Sequence, residues 1–170
     1  MQPVAETVRP NPEAPYAVSK IAAEYYVSTL GALYEIETVS LRIFNAYGPG
    51  QDLPPSYPPV IPQLLRQAQT GGSLVIFGDG TQTRDFVYVQ DVVDALLLAA
   101  TAEGANRAVI NIGSGTGVSI NDVAALVGRV TGREVSLLHN QGHSGGVGRL
   151  VADVTLAETL LGWRPRPPLP

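Results

Sequence analysis

Apolar and polar positions follow two rhythms along the chain. From Tyr16 to Tyr34 the apolar side chains Val18, Ile21, Ala22, Tyr25, Tyr26 and Leu33, with Thr29, recur at intervals of three and four. That spacing predicts a helix, and Pro15 suits its first turn because a fixed φ and a missing N–H are harmless there. Thr38 to Phe44 alternates Val39, Leu41 and Ile43 with polar neighbours, the period of a strand. A second helix is predicted over Ile61 to Thr70, ended by Gly71 and Gly72, then a short buried strand over Leu74 to Phe77. Further strands are expected at Phe86 to Val89 and Val109 to Ile112, and one over Glu134 to Leu138. Asp91 reads as the cap of a helix reaching Ala102, and Ser119 with Asp122 as a capping pair for a helix through Val130. A last helix, Thr155 to Leu161, closes at Gly162 and Trp163.

Between these elements lie three irregular stretches. The first fifteen residues hold four prolines and read as an extended surface lead-in. Asn45 to Pro62 holds six prolines and two glycines, a long loop of the kind that carries function or is disordered. Asn140 to Gly148 is a glycine-rich loop. Strands alternating with helices predict an α/β protein with a mainly parallel sheet, yet, leaving aside Glu134 to Leu138, only about four strands are visible, fewer than the ~5–6 of an average sheet. The pattern is that of part of a sheet.

Composition narrows the classes. The 170 residues hold no cysteine, which excludes a disulfide scaffold, a thiol nucleophile and a thiolate zinc site. The formal charge is −4 and the arginines are scattered, against a nucleic-acid surface. The apolar run Val92 to Ala102 is broken by Asp94 and falls short of the ~20 residues of a membrane span, and the N-terminus carries no secretory pattern, so a cytoplasmic protein is expected. Ten of the eleven basic residues are arginines; the one lysine is Lys20.

That lysine stands four residues after Tyr16, so a helix presents a phenol and an ammonium to one small volume. A tyrosine is a poor base at neutral pH unless a nearby cation favours its phenolate. YxxxK alone is as well explained by a surface Tyr and Lys. Its successors are more specific. LRIFNAYGPG (41–50), FGDGTQTRDFVYVQDV (77–92), NIGSG (111–115), VAD (151–153) and LGW (161–163) follow in that order. Together with Tyr16 and Lys20 they resemble the extended short-chain dehydrogenase/reductase family, specifically its NAD-dependent nucleotide-sugar epimerases and dehydratases of the UDP-glucose 4-epimerase type.

The resemblance implies the later part of a Rossmann-type doubly wound sheet plus the smaller substrate-binding lobe, with the first half of the Rossmann domain absent. Residues 1–47 would be the remnant of the dinucleotide-binding domain. Residues 48–170 would be mainly the nucleotide-sugar lobe, with 84–103 packing back on the Rossmann part. Tyr16 would take a proton from a sugar hydroxyl as hydride passes to NAD, and return it. Lys20 would hold the nicotinamide ribose, and Ile43 and Phe44 would lie against the nicotinamide. Asn45 would donate to the substrate diphosphate, Pro59, Val60, Val75 and Phe77 would hold the nucleotide, and Arg84 would bind the diphosphate. The alternative for Arg84 is a salt bridge to Asp85 or Asp91. His143 stands where the family carries a second diphosphate arginine; Arg149, in the same loop, is the candidate substitute, and His143 itself reads otherwise as an exposed loop residue. Two histidines make no metal site.

Only fifteen residues precede Tyr16, whereas the family's Gly-rich fingerprint and its substrate-binding Ser or Thr lie farther upstream. Gly113 to Gly117 superficially suits a dinucleotide, with Glu134 about 20 residues on, but its spacing is GxGxG rather than GxGxxG; its helix N-terminus would suit a phosphate. The expected function is therefore a portion of an NAD-dependent nucleotide-sugar epimerase acting at the sugar C4, of the UDP-glucose/UDP-galactose type and inactive as this isolated chain. One alternative is a non-catalytic nucleotide-sugar-binding or interaction module of the same descent, another a dehydratase or decarboxylase. The missing strands leave Thr38 to Phe44 as a sheet edge and bare the first helix, so a homo-oligomer or a missing N-terminal segment is expected as partner.

Overall fold

The computed structural model describes residues 2–142, 146–166 and 169. Among these residues five helices, α1 (Pro15–Leu33), α2 (Val60–Gln69), α3 (Val89–Ala99), α4 (Ile120–Thr131) and α5 (Thr155–Leu161), are interleaved with eight strands. These are β1 (Val39–Ile43), β2 (Asn45–Tyr47), β3 (Leu74–Phe77), β4 (Thr83–Tyr88), β5 (Ala108–Ile112), β6 (Gly117–Ser119), β7 (Leu137–Asn140) and β8 (Arg149–Leu150). The pairs β1–β5, β2–β4, β3–β7 and β4–β8 are parallel and β4–β6 is antiparallel. The chain is α/β, as the alternation of elements predicts.

Strand β4 divides the interior. Side chains alternate across a strand, and Phe86 enters a core with Leu64, Leu74, Ile76 and Val123 while its neighbour Val87 enters another with Ala95, Ile110, Ile112 and Trp163. The first core seats α2 and α4 around β3; the second seats α3 and α5 against β5. Trp163 is buried and its indole N–H donates to the Asp91 carbonyl at 2.9 Å, which fixes the C-terminal segment on the start of α3.

Several local expectations hold. Pro15 opens α1, Ser119 Oγ accepts the Asp122 N–H at 3.0 Å at the head of α4, and Gly162, at φ 61°, closes α5 in the left-handed conformation that glycine adopts without strain. Others are corrected. Asp91 does not cap α3: it lies in the first turn, buried, with Oδ1 accepting from Arg166 Nη1 at 2.6 Å, while Tyr88 holds the cap position. The 86–89 strand begins earlier, at Thr83, and ends at Tyr88. The expected strand 134–138 lies later, at Leu137–Asn140, and three short strands, β2, β6 and β8, were not anticipated. The N-terminal lead-in is extended but not loose. Val4 bridges Ala152, donates to the Val151 carbonyl at 2.8 Å, and its own carbonyl accepts from Asn111 Nδ2 at 2.9 Å.

The strand 39–43 pairs with β5 only, and α1 buries just Gly31, whose Cβ, were it present, would lie 2.6 Å from the Thr38 methyl. Helix α1 is held on β1 by Arg42, which makes two 2.8 Å bonds to the Glu24 carboxylate and donates at 3.1 Å to the Glu6 carbonyl. The Arg42 guanidinium holds the Glu24 carboxyl below its usual value of 4.5. A depressed carboxylate stabilises the fold above its unfolded value and loses that contribution as pH falls through the folded one. Arg42→Met is therefore expected to cost about 1–2 kcal/mol at pH 7 and to flatten the loss of stability below pH 4.5, measured by urea unfolding from pH 7 to pH 3.

Among the described residues the most heavily bonded carboxylate is Asp85, fully buried on β4. Its Oδ1 accepts from Ser114 N at 2.5 Å and Ser114 Oγ at 2.7 Å, and its Oδ2 from the amides of Gly115 and Ala152, both at 3.0 Å. Asp85→Asn replaces one acceptor oxygen with a donor that faces two N–H groups, and a loss of about 3 kcal/mol or more is expected in denaturant unfolding.

Candidate functional site

Tyr16 occupies the second position of α1, with 72% of its surface exposed. Its carbonyl accepts from Ser19 Oγ at 2.7 Å, and Lys20, one turn on, places Nζ 5.2 Å from the Tyr16 ring centroid. The helical period thus delivers the phenol and the ammonium side by side.

Two cavities meet at this tyrosine. One, of about 700 Å³, lies between the start of α1, β2 and the start of α2, and its walls include Asn45, Tyr47, Tyr57, Pro59 and Val60. The other, of about 880 Å³, lies between α1 and β1, with Lys20, Ile43 and Phe44 in its walls. Tyr16, Ala46 and Gln51 face both. The chain reaches this arrangement because β1 and β2 are nearly continuous: Phe44, between them, donates to the Ile112 carbonyl at 2.9 Å, and Asn45 starts the strand that pairs with β4. Asn45 Nδ2 donates to the Asp85 carbonyl at 3.2 Å, and Gln51 Nε2 to the Ala46 carbonyl at 3.0 Å. Tyr47 and Tyr88 pack with ring centroids 5.6 Å apart. Burial, then the nearby Asp91 and Tyr88, push the Tyr47 phenol above its usual value, and Tyr47 is among the residues that line the first cavity.

Of the residues singled out in the sequence, Tyr16, Asn45, Pro59 and Val60 line one cavity, and Tyr16, Lys20, Ile43 and Phe44 the other. Val75, Phe77, Arg84 and Arg149 line neither. Val75 sits on β3, where its N–H donates to Gln67 Oε1 at 3.0 Å, and Phe77 ends that strand half exposed. Arg84 donates from Nη1 to the Thr83 carbonyl at 2.9 Å and the Val147 carbonyl at 2.6 Å, and burial pushes its guanidinium down from the ordinary value. The two carboxylates considered as its salt-bridge partners are engaged elsewhere, Asp85 with backbone amides and Asp91 with Arg166. Register pairs Arg149 with Thr83 and Leu150 with Arg84, so Arg149 and Arg84 leave the sheet on opposite faces. His143 lies outside the described residues. The Gly113–Gly117 loop spends the amides of Ser114 and Gly115 on Asp85, so those donors are not available to a phosphate.

Sequence reasoning passed over Tyr47, Gln51, Tyr57 and Phe86, all in the first cavity. The tyrosine-rich, proline-flanked stretch from 47 to 59 was a visible signal; nothing in the spacing marked Gln51.

Residues 1–113 match the model of the NAD dependent epimerase/dehydratase family. A putative UDP-glucose 4-epimerase of Methanocaldococcus jannaschii is 37% identical over 96% of this chain and 52% of its own. The crystal structure of the UDP-glucose 4-epimerase of Thermotoga maritima with UDP-glucose superposes with a TM-score of 0.90 at 35% identity, over 98% of this chain and 53% of that one. That of the UDP-glucuronic acid 4-epimerase of Bacillus cereus, in complex with UDP-glucuronic acid and NAD, gives a TM-score of 0.88 at 32% identity, over 98% and 52%. The chain thus spans about half the length of the relatives it matches.

Arg84 ties the loop before β8 to β4, where the Thr83 N–H also donates to the Gly148 carbonyl at 2.9 Å. Arg84→Met is expected to cost about 1–2 kcal/mol and to accelerate amide hydrogen exchange at Thr83 at least tenfold, with the Leu64 amide in the α2 core unchanged.

Proposed function

The chain belongs to the NAD dependent epimerase/dehydratase family, and on that premise we propose that it carries the proton-transferring tyrosine and the nucleotide-sugar cavity of a C4 epimerase acting on UDP-glucose or UDP-galactose. The observation that carries this reading is the position of Tyr16 on the wall common to two cavities. One holds Lys20, Ile43 and Phe44, and the other Asn45, Pro59 and Val60. A proton carrier working between a sugar hydroxyl and a hydride acceptor has to face both.

The residues of the larger cavity fit the nicotinamide end of NAD. Ile43 is 45% exposed and offers apolar surface to a flat ring, Phe44 lies beside it, and the Lys20 ammonium is a compact donor for ribose hydroxyls. NAD, when bound, supplies the acceptor and later the donor of hydride. Tyr16 Oη would take the proton of the C4 hydroxyl as the C4–H bond breaks and C=O forms, and would give it back as the alcohol re-forms. The Lys20 ammonium stands beside it, with Nζ 5.2 Å from the Tyr16 ring centroid. Asn45, oriented by its bond to the Asp85 carbonyl, and Arg84, held by two carbonyls, are proposed to bind the diphosphate, with Val75 and Phe77 toward the base; Arg149, which leaves the sheet on the face opposite Arg84, is not assigned there. Residues 1–47 belong to the dinucleotide-binding side and 48–170 mainly to the sugar-nucleotide lobe, with 84–103 packing back on the former.

On this reading the isolated chain binds the nucleotide sugar more tightly than the dinucleotide and turns nothing over, because Tyr16 and Lys20 stand exposed. The uncovered face of α1 is expected to promote self-association, read by light scattering. Calorimetric titration with UDP-glucose, UMP and NAD is the test. Micromolar to millimolar binding of UDP-glucose without stoichiometric NAD is expected; no binding of UDP-glucose overturns the substrate site, and NAD copurifying in stoichiometric amount overturns the inactivity of the chain.

A further inference from the structure

One residue of the smaller cavity has no structural reason to be what it is. Tyr57 is 98% exposed, so its ring packs on nothing in the fold, and its backbone sits at φ 53°, the left-handed region that costs a side-chain-bearing residue roughly 1–3 kcal/mol. Asparagine or glycine would occupy that conformation at less cost. The residue nevertheless lines the cavity with Tyr16 and Asn45, in a loop whose freedom is limited by Pro54, Pro55, Pro58 and Pro59. Strain and a bare aromatic ring at a cavity mouth are what a ligand-contacting residue shows in its unliganded state.

We propose that Tyr57 binds the sugar of the nucleotide sugar, its ring stacking on the apolar C–H face of the pyranose while its hydroxyl stays at the wet rim. This rests on the reading of the smaller cavity as the substrate site. Tyr16, which works at a sugar hydroxyl on that reading, lines the same cavity as Tyr57; Pro59 and Val60, assigned to the nucleotide, line it as well, and the comparison of UDP-glucose with UDP separates the two. A pyranose offers an aromatic ring a flat C–H face with its hydroxyls turned outward, a surface that a tyrosine matches with one apolar body and one polar tip.

The test titrates the chain with UDP-glucose and with UDP, as wild type, Tyr57→Ala, Tyr57→Phe and Tyr57→Gly. Tyr57→Ala is expected to weaken UDP-glucose about three- to tenfold and UDP less than twofold, and Tyr57→Phe to bind UDP-glucose within about twofold of wild type. Tyr57→Gly relieves the φ strain, so its melting temperature is expected to equal or exceed that of wild type while UDP-glucose weakens as in Tyr57→Ala; a purely structural tyrosine would make stability and binding fall together. Equal weakening of UDP and UDP-glucose places the ring on the base and overturns the proposal. Unchanged binding of UDP-glucose by Tyr57→Ala overturns it too, and leaves the substrate site standing. A wild-type chain that binds neither ligand overturns the site and the proposal with it.

Discussion

A single buried carboxylate sets the geometry on which the rest of this structure depends. Asp85 gathers four hydrogen bonds from the 114–115 turn and from Ala152, segments that lie 29 and 67 residues away in sequence. A charge taken out of water is tolerated only when its oxygens are satisfied, so these three segments have one arrangement in which the carboxylate is not destabilising. That arrangement fixes β4. Once β4 is fixed, Phe86 and Val87 point into two different cores, Arg84 leaves toward the loop before β8, and the Asp85 carbonyl is in place to orient Asn45. Gly113 belongs to the same knot: a Cβ there would fall 2.6 Å from both Asp85 Oδ2 and the Ala152 methyl.

A second tie joins the ends of the chain. Asn111 is buried on β5, donates from its side chain to the carbonyls of Val4 and Asp153, and donates from its backbone to Glu6 Oε1. The proline-rich start of the chain is thereby built into the sheet region next to the Ala152 segment, and Arg42 adds a bond from β1 to the Glu6 carbonyl. Composition alone makes that segment read as an extended surface lead-in; its hydrogen bonds make it part of the fold.

Legibility in the sequence followed the range of the interaction involved. Helix α1, helix α5 and the Ser119 cap rest on neighbours three or four residues apart, and all were readable. Strands β2, β6 and β8 hold three, three and two residues, too few to express an alternation, and exist only because β4 offers them partners. Asp91 looked like a cap because caps are the commonest use of an aspartate before an apolar run; its actual partner, Arg166, lies 75 residues away. The site divides in the same manner. Tyr16 and Lys20 were found through a helical interval and Asn45 through ordered motifs, whereas Gln51 and Tyr57 sit in a loop whose prolines announce irregularity without saying where it leads. Helix α1 agrees with its reading: its three-and-four rhythm marks a helix, its face was expected to be bare, and among its residues only Gly31 is buried.

The wall shared by the two cavities has a consequence for how such a site can change over time. Tyr16, Ala46 and Gln51 face both spaces, so any alteration there reshapes two compartments at once and must satisfy both occupants together. Pro59, Val60 and Tyr57 face one space only. Drift in what the smaller compartment accepts is therefore channelled into the proline-rich loop and the head of α2, and the partition itself is the part of the site with the least room to vary.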